Sequence, residues 1–353
     1  DDCLFFVVED FNTTGLTGRI DEKPREETIE RINDWNYFNY FRRENGSTKF
    51  GANTLGNWGA GKCVFERASR LKTSFIYSIR EGYEPRQFLV GKATHRCYQD
   101  KDYVTWAPDG WFGLMLKKDS RFPNRICKRP IVDELYIQQF KDDFNIKRND
   151  EPGTSIVIPH IYVALEDEVQ NAKFNQENLI QAVLRNFLIA IHNNDLVVKI
   201  QVGKGGEEVT ISKDTFSEFN SFLPTPDMKD VCVTTSHHKL ILEALNNSFP
   251  ASQKFTLNQE ITTLDWCKEK FLDGQLQQIL QLLNQKKTCF ITVPMPIFEK
   301  GAKNKSKPSH WAQFHVILKQ ENLPKALGPV FFRAGLLIDS VSAVKTNSYL
   351  SAV

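Results

Sequence analysis

The densest chemistry in the chain lies in seven residues, Gly56-Asn57-Trp58-Gly59-Ala60-Gly61-Lys62. Gly56, Gly59 and Gly61 would let backbone N–H groups approach phosphate oxygens with no Cβ in the way. The run behind them, Cys63 to Arg70, reads as a helix whose N-terminus adds partial positive charge, and Lys62 supplies a full one. A turn that merely caps this helix is the plain alternative, since glycine and lysine are ordinary turn residues.

Two further segments offer complementary groups. Leu4 to Val8 is an uninterrupted apolar run that reads as a buried strand ending at Glu9-Asp10. At that strand tip the Asp10 carboxylate is an acceptor for a ligand N–H, and Gly15 and Gly18 allow the backbone to close over it. A local cap of the strand-to-loop turn explains the same residues. Downstream, Gly153-Thr154 enters the apolar run Ile156-Val157-Ile158 and sets a hydroxyl at that strand's mouth.

The remaining candidates are weaker. Arg333 stands inside Phe331 to Ile338, read as one apolar strand, where a guanidinium calls for a local carboxylate or a ligand phosphate. Lys204 in Gly203-Lys204-Gly205-Gly206 is flanked by strands and reads as a hairpin turn. The pair His237-His238 cannot readily present both rings to one metal, so it reads as surface or capping residues. Cys63 reads as a packed thiol, since no histidine is placed to activate it. The basic stretch Lys300 to Lys307 reads as a solvated loop.

The elements that must position these groups follow from periodicity. Thr73 to Ile79 and Phe88 to Ala93 read as strands around the turn Glu81-Gly82-Tyr83-Glu84-Pro85, and Tyr103 to Leu116 as another hairpin. Ile131 to Phe144 carries Leu135, Tyr136, Phe140 and Phe144 at helical spacing. Residues 19–50 alternate polar, charged and aromatic side chains with no clean apolar face, in the manner of a cover over a site. After residue 160 the chain is expected to form a helix over Gln176 to Asn193 and a hairpin from Leu196 to Ile211. Further expectations are a helix from Trp266 to Asn284 and strands from Thr288 to Ile297 and Trp311 to Leu318.

With 353 residues the chain can bury two cores, so two domains are expected, over 1–160 and 161–353. Hydrophobic residues at 41% and charged residues at 25% describe an ordinary globular composition. A formal charge of +2 gives no electrostatic argument for nucleic acid or membrane. Seven cysteines, never spaced Cys-x-x-Cys, read as reduced thiols of a cytoplasmic protein. Because an apolar strand begins almost at Asp1, the sequence is expected to lack its natural N-terminus.

Asp10, then a cover-like stretch, then Gly56-x-x-Gly59-x-Gly61 before a helix, then Gly153-Thr154 resembles the GHKL ATPases in content and order. That family includes DNA gyrase B subunits, mismatch-repair ATPases, large heat-shock chaperones and sensor histidine kinases. The resemblance spans residues 4 to about 159. It implies an α/β sandwich of the Bergerat type followed by a second α/β, transducer-like domain. It further implies that the chain binds and hydrolyses ATP with Mg²⁺ as a conformational switch, with nucleotide-dependent homodimerisation and output to a protein partner. Bacterial antiviral defence and DNA transactions are the settings it suggests. Asp10 would accept the adenine amino group, Gly15 line the base pocket, and Gly56, Gly59, Gly61 and Lys62 wrap the triphosphate. Thr154 would hold the Asp10 carboxylate, and Arg333 or a lysine of 300–307 would sense the phosphate. The sequence departs from the family's Asp-x-Gly-x-Gly box in carrying Asn12 and one extra residue before Gly15. The family's catalytic glutamate and magnesium-binding asparagine would lie upstream of residue 1.

Two other readings stay open. Gly56-x-x-x-x-Gly61-Lys62 fits a P-loop up to Cys63, a soft ligand where a hydroxyl should meet Mg²⁺. A non-catalytic interaction protein on a GHKL-like fold is the other.

Overall fold

Alternation along one strand explains the first half of the molecule. In the computed structural model the strand β2, Thr73–Ile79, is buried over most of its length, with Phe75, Tyr77 and Ile79 on one face and Ile76 and Ser78 on the other. Such two-sided burial requires neighbours on both edges and cover on both faces. The structure describes residues 3–18, 20, 36, 37, 40, 63–106, 109–115, 128–161, 175–223, 235–246, 248–260, 267–297, 310–320, 330–333, 336–338 and 349–352. The chain divides into two units, Asp1–Ala172 and Lys173–Val353.

In unit 1 the order along the chain is β1 (Phe5–Glu9), α1 (Val64–Ala68), β2, β3 (Gln87–Thr94), β4 (Tyr98–Gln99), β5 (Thr105–Trp106), β6 (Asp109–Phe112), β7 (Leu114–Met115), β8 (Lys128–Arg129), α2 (Glu134–Asp143) and β9 (Gly153–Pro159). Five of these strands make one sheet in the order β1-β9-β2-β3-β6, every pair antiparallel. One face packs on α2 through Ile137 and Phe140, joined by Phe144, Leu89 and Val157. Asp133 starts that helix by accepting from the Tyr136 N–H at 2.8 Å. The apolar spacing is offset from the expected one: Leu135 is 84% exposed, and Ile137 is the buried residue of that turn. The opposite face gathers Ile76, Phe88, Val90 and Ile156 under Leu16, Tyr37, Tyr40 and the α1 residue Phe65. Instead of one hairpin, Tyr103 to Leu116 contributes to a β4–β5 ribbon, to the sheet through β6 and to a β7–β8 pair.

Unit 2 contains α3 (Gln176–His192), β10 (Val198–Gln201), β11 (Glu208–Ile211), α4 (Thr235–Leu245), β12 (Lys254–Thr256), α5 (Gln275–Asn284), β13 (Cys289–Ile297), β14 (His310–Gln320), β15 (Phe331–Arg333), β16 (Leu336–Ile338) and β17 (Tyr349–Ala352). Its four-stranded sheet has the order β12-β13-β14-β17, with β12 parallel to β13 and the other pairs antiparallel. Ile279 and Leu283 of α5 pack on Cys289, Ile291 and Val293. The α3 residues Ile180, Leu184, Leu188 and Ile191 pack with Leu240 and Ile241 of α4 and with Ile317. The helix expected from Trp266 starts only at Gln275, because Gly274 before it takes φ +78°. Phe331 to Ile338 is not one strand: β15 and β16 pair antiparallel, with Arg333 opposite Leu336. Lys204 is exposed in the loop between β10 and β11, as a hairpin turn should be. Both units are mixed α/β with helices on antiparallel or largely antiparallel sheets. Among the described residues no helix is long and apolar enough to cross a membrane.

The two histidines are not surface residues. His237 is 0% and His238 2% exposed, because α4 turns this side into the core against Phe216 and α3. Burial pushes the His238 imidazole down to about 4 from 6.5. The unfolded chain takes up this proton below pH 6.5, and the folded chain only near pH 4. Stability contributed by neutral His238 is therefore complete above pH 6.5 and lost as the pH falls to 4. Wild type should lose about 3 kcal/mol more than His238→Leu between pH 7 and pH 4 in urea melts. Equal pH slopes for the two proteins would contradict the assignment.

Candidate functional site

Antiparallel pairing brings three chain segments to one end of the unit 1 sheet. Glu9 at the close of β1 faces Ser155, and Thr154 at the opening of β9 faces Ser78 near the end of β2. Asp10 continues β1 by one residue, its N–H donating to the Thr154 carbonyl at 3.0 Å. In return the Thr154 N–H donates to Oδ1 of Asp10. Thus Asp10 and Thr154 meet, but through the Thr154 backbone; the hydroxyl expected to hold the carboxylate is not its partner.

Arg148, which the sequence reading passed over, organises this end of the sheet. Its side chain is 0% exposed. Nε donates to Ser155 Oγ at 3.0 Å, Nη1 to the carbonyls of Glu151 (3.0 Å) and Pro152 (3.1 Å), and Nη2 to the Thr154 carbonyl at 3.0 Å. Nη2 also donates to the Asp10 carbonyl and lies 3.4 Å from Asp10 Oδ1. The Phe11 ring covers the guanidinium, 4.7 Å from its carbon to the ring centroid. Burial lowers the Arg148 pKa from its ordinary value, and the charges of Asp10 and Glu9 oppose that shift. Glu9 completes the arrangement: its carboxylate accepts from the Lys147 N–H (2.9 Å), the Arg148 N–H (3.2 Å) and the Ser155 hydroxyl (2.7 Å). Nothing in the local sequence marks it, since Lys147 and Arg148 are both basic; only in the fold do Ile146 and Arg148 lie buried with Lys147 exposed between them.

Two glycines are fixed by close approach. Gly153 has φ +145°, and a Cβ there would overlap Arg148 Nη1 and the Asp10 carbonyl. Gly15 has φ +70°, and a Cβ would overlap the Ile79 carbonyl. The loop carrying Gly15 is knitted to the strand ends by Ser78, whose Oγ accepts from the Leu16 N–H at 2.9 Å and donates to the Gly153 carbonyl at 3.1 Å. Gly15 thus stands beside the Asp10–Thr154 pair, pressed on β2.

The glycine loop itself, with Gly56, Gly59, Gly61 and Lys62, lies outside the described residues, as does most of 19–50 and all of 300–307. Its exit is described. Cys63 leads into the short helix α1, Glu66 accepts from the Ser74 hydroxyl at 3.2 Å, and Phe65 packs on the face shared by Leu16 and Tyr40. Burial first, then the charges of Glu66, Asp10 and Cys63, raise the Tyr40 phenol above its ordinary pKa. Asp10 and the start of α1 are therefore within electrostatic range of one side chain. For Arg333 the backbone is placed in unit 2, and its side chain lies outside what is described. Among the described residues no group of three or more His, Cys, Asp or Glu side chains could hold a metal ion.

Two cavities among the described residues lie elsewhere. One of about 400 Å³ is bounded by Leu223, His238 and Leu242, the other of about 300 Å³ by Pro85, Gln87 and Val132; neither includes Asp10, Gly15 or Thr154.

Gly153→Ala should destabilise unit 1 by about 3 kcal/mol, because the added methyl displaces a buried charge or its carbonyl acceptor. Gly82→Ala, also at positive φ (+73°) but with nothing within 4 Å, should cost only about 1 kcal/mol. Chemical-denaturant melts of both variants check this, and equal losses would remove Arg148 from the explanation.

No protein-family model, no curated protein and no solved structure matches this chain.

Proposed function

We propose that unit 1 is an ATP-binding module of the GHKL type, built on a Bergerat-like α/β sandwich, and that unit 2 acts as its transducer. One observation carries the reading: Asp10 and Thr154, 144 residues apart, are joined by a hydrogen bond at one sheet end, with the Gly15 loop beside them. A solvent-facing carboxylate anchored from behind is suited to accept the N–H of a base. The Asp10 side chain is 50% exposed, so it combines a fixed position with access. Phe65 of α1, the helix entered from the glycine loop, packs with Tyr40, and the Asp10 charge is among those that raise the Tyr40 phenol pKa. In this arrangement Asp10 selects the base, and the loop Gly56 to Lys62 receives the phosphates through backbone N–H groups and the Lys62 ammonium. Mg²⁺ would arrive with the phosphates of ATP and neutralise part of their charge. Closure of residues 19–50 over the nucleotide, a phosphate contact from Arg333, hydrolysis and dimerisation belong to the same proposal.

Calorimetric titration of ATP and ADP with Mg²⁺ tests it. Wild type should bind in the micromolar range, and both Asp10→Asn and Gly59→Val should reduce binding by tenfold or more. Loss with Gly59→Val alone would favour a P-loop use of Gly56 to Lys62. Absence of binding by wild type would leave an interaction protein on this fold.

A further inference from the structure

Resting on the nucleotide reading above, we infer that Arg148 is the specificity-determining residue of the site, making Asp10 a single acceptor and so admitting adenine in preference to guanine. A free carboxylate offers two oxygens in one plane and pairs with two parallel donors. Here Oδ1 is already occupied by the Thr154 N–H and by Nη2 of Arg148. Oδ2 has no hydrogen-bond partner among the described residues, on a side chain that is half exposed. One oxygen is therefore left for a ligand. Adenine presents one exocyclic amino group next to a ring acceptor and needs one protein acceptor at that position. Guanine presents N1–H and N2–H side by side, and a site with one acceptor leaves the second donor unpaired on desolvation, which is strongly discriminating.

The inward oxygen is not free to turn. Arg148 is held from all sides, on Ser155 Oγ and on the carbonyls of Glu151, Pro152, Thr154 and Asp10. Gly153 allows that packing because it has no Cβ, and Phe11 closes the outer face. Rotating the Asp10 carboxylate to offer both oxygens would strip Nη2 and the Thr154 N–H of a charged acceptor. Arg148 does not reach the ligand in this scheme; it is a positioning residue that acts through Asp10.

The test is calorimetric titration of the full chain with the Mg²⁺ complexes of ATP, GTP and purine riboside triphosphate, which lacks the amino group. Wild type should prefer ATP to each of the others by at least about tenfold. Arg148→Lys keeps a positive charge without the planar fork. It should lower the ATP-to-GTP preference by about tenfold, with most of the change coming from tighter GTP binding as Asp10 gains its second acceptor oxygen. A purely structural role would weaken both nucleotides together and leave their ratio alone. Should Arg148→Lys fail to fold by circular dichroism, Ser155→Ala, which removes the Nε acceptor together with the hydroxyl donated to Glu9, should lower the ratio by about threefold. An unchanged ratio, or equal binding of ATP and GTP by wild type, overturns the role of Arg148 and leaves nucleotide binding standing. Binding of none of the three by wild type removes both proposals together.

Discussion

A buried guanidinium must be fully hydrogen-bonded or it is ruinous to stability, and this requirement shapes the active-looking end of unit 1. Removing one partner of such a buried charge typically costs roughly 3–5 kcal/mol. Arg148 meets the requirement with carbonyls of residues 151, 152 and 154 on one side and of Asp10 on the other. Those acceptors are available together only when β1, β9 and the turn before β9 are all in place. The charge therefore acts as a registration device: a one-residue slip of β1 against β9 would move the Asp10 carbonyl and the Glu9 carboxylate to the wrong positions.

The same constraint explains the local sequence. Glycine is needed at 153 because the guanidinium occupies the space of a Cβ. Small hydroxylated residues at 78 and 155 suit a crowded strand end where each Oγ bridges two groups. Glu9, on the strand, and Asp10, just beyond it, divide the work. Glu9 binds the backbone of residues 147 and 148, and Asp10 keeps one oxygen toward the guanidinium and its other side toward solvent. A second buried arginine, Arg80, performs a comparable task for the loop after Asp10, donating to the carbonyls of Gly18 and Pro85. Two buried cations thus hold one loop at both of its ends, which gives any ligand arriving there a preorganised wall.

Unit 2 relies on apolar packing instead. Its α3 is buried at Ile180, Leu184, Leu188 and Ile191, a period that needs no polar partner. Its buried His238 stays compatible with that core because burial favours the uncharged ring, as its lowered pKa reflects.

Most elements were legible from periodicity alone. The strands at 73–79 and 153–159, the helix from Gln176 and the β10–β11 hairpin all announce themselves through apolar spacing and turn residues, because those signals are local. Failures came where conformation depends on one backbone angle or on distant packing. Gly274 shortens a helix by adopting positive φ, a reversal splits Phe331 to Ile338, and α4 turns His237 and His238 inward. Sequence by itself determined the candidate groups at the strand tips, since a carboxylate ending an apolar run and a Gly-Thr opening another can be read within a few residues. Tertiary structure alone decided that these tips meet and that a lysine-flanked arginine at 148 is a buried charge. It also decided that Thr154 serves Asp10 through its backbone. Each of those facts depends on pairing across some 140 residues, and hydrogen bonds formed by strand register leave no local trace in the chain.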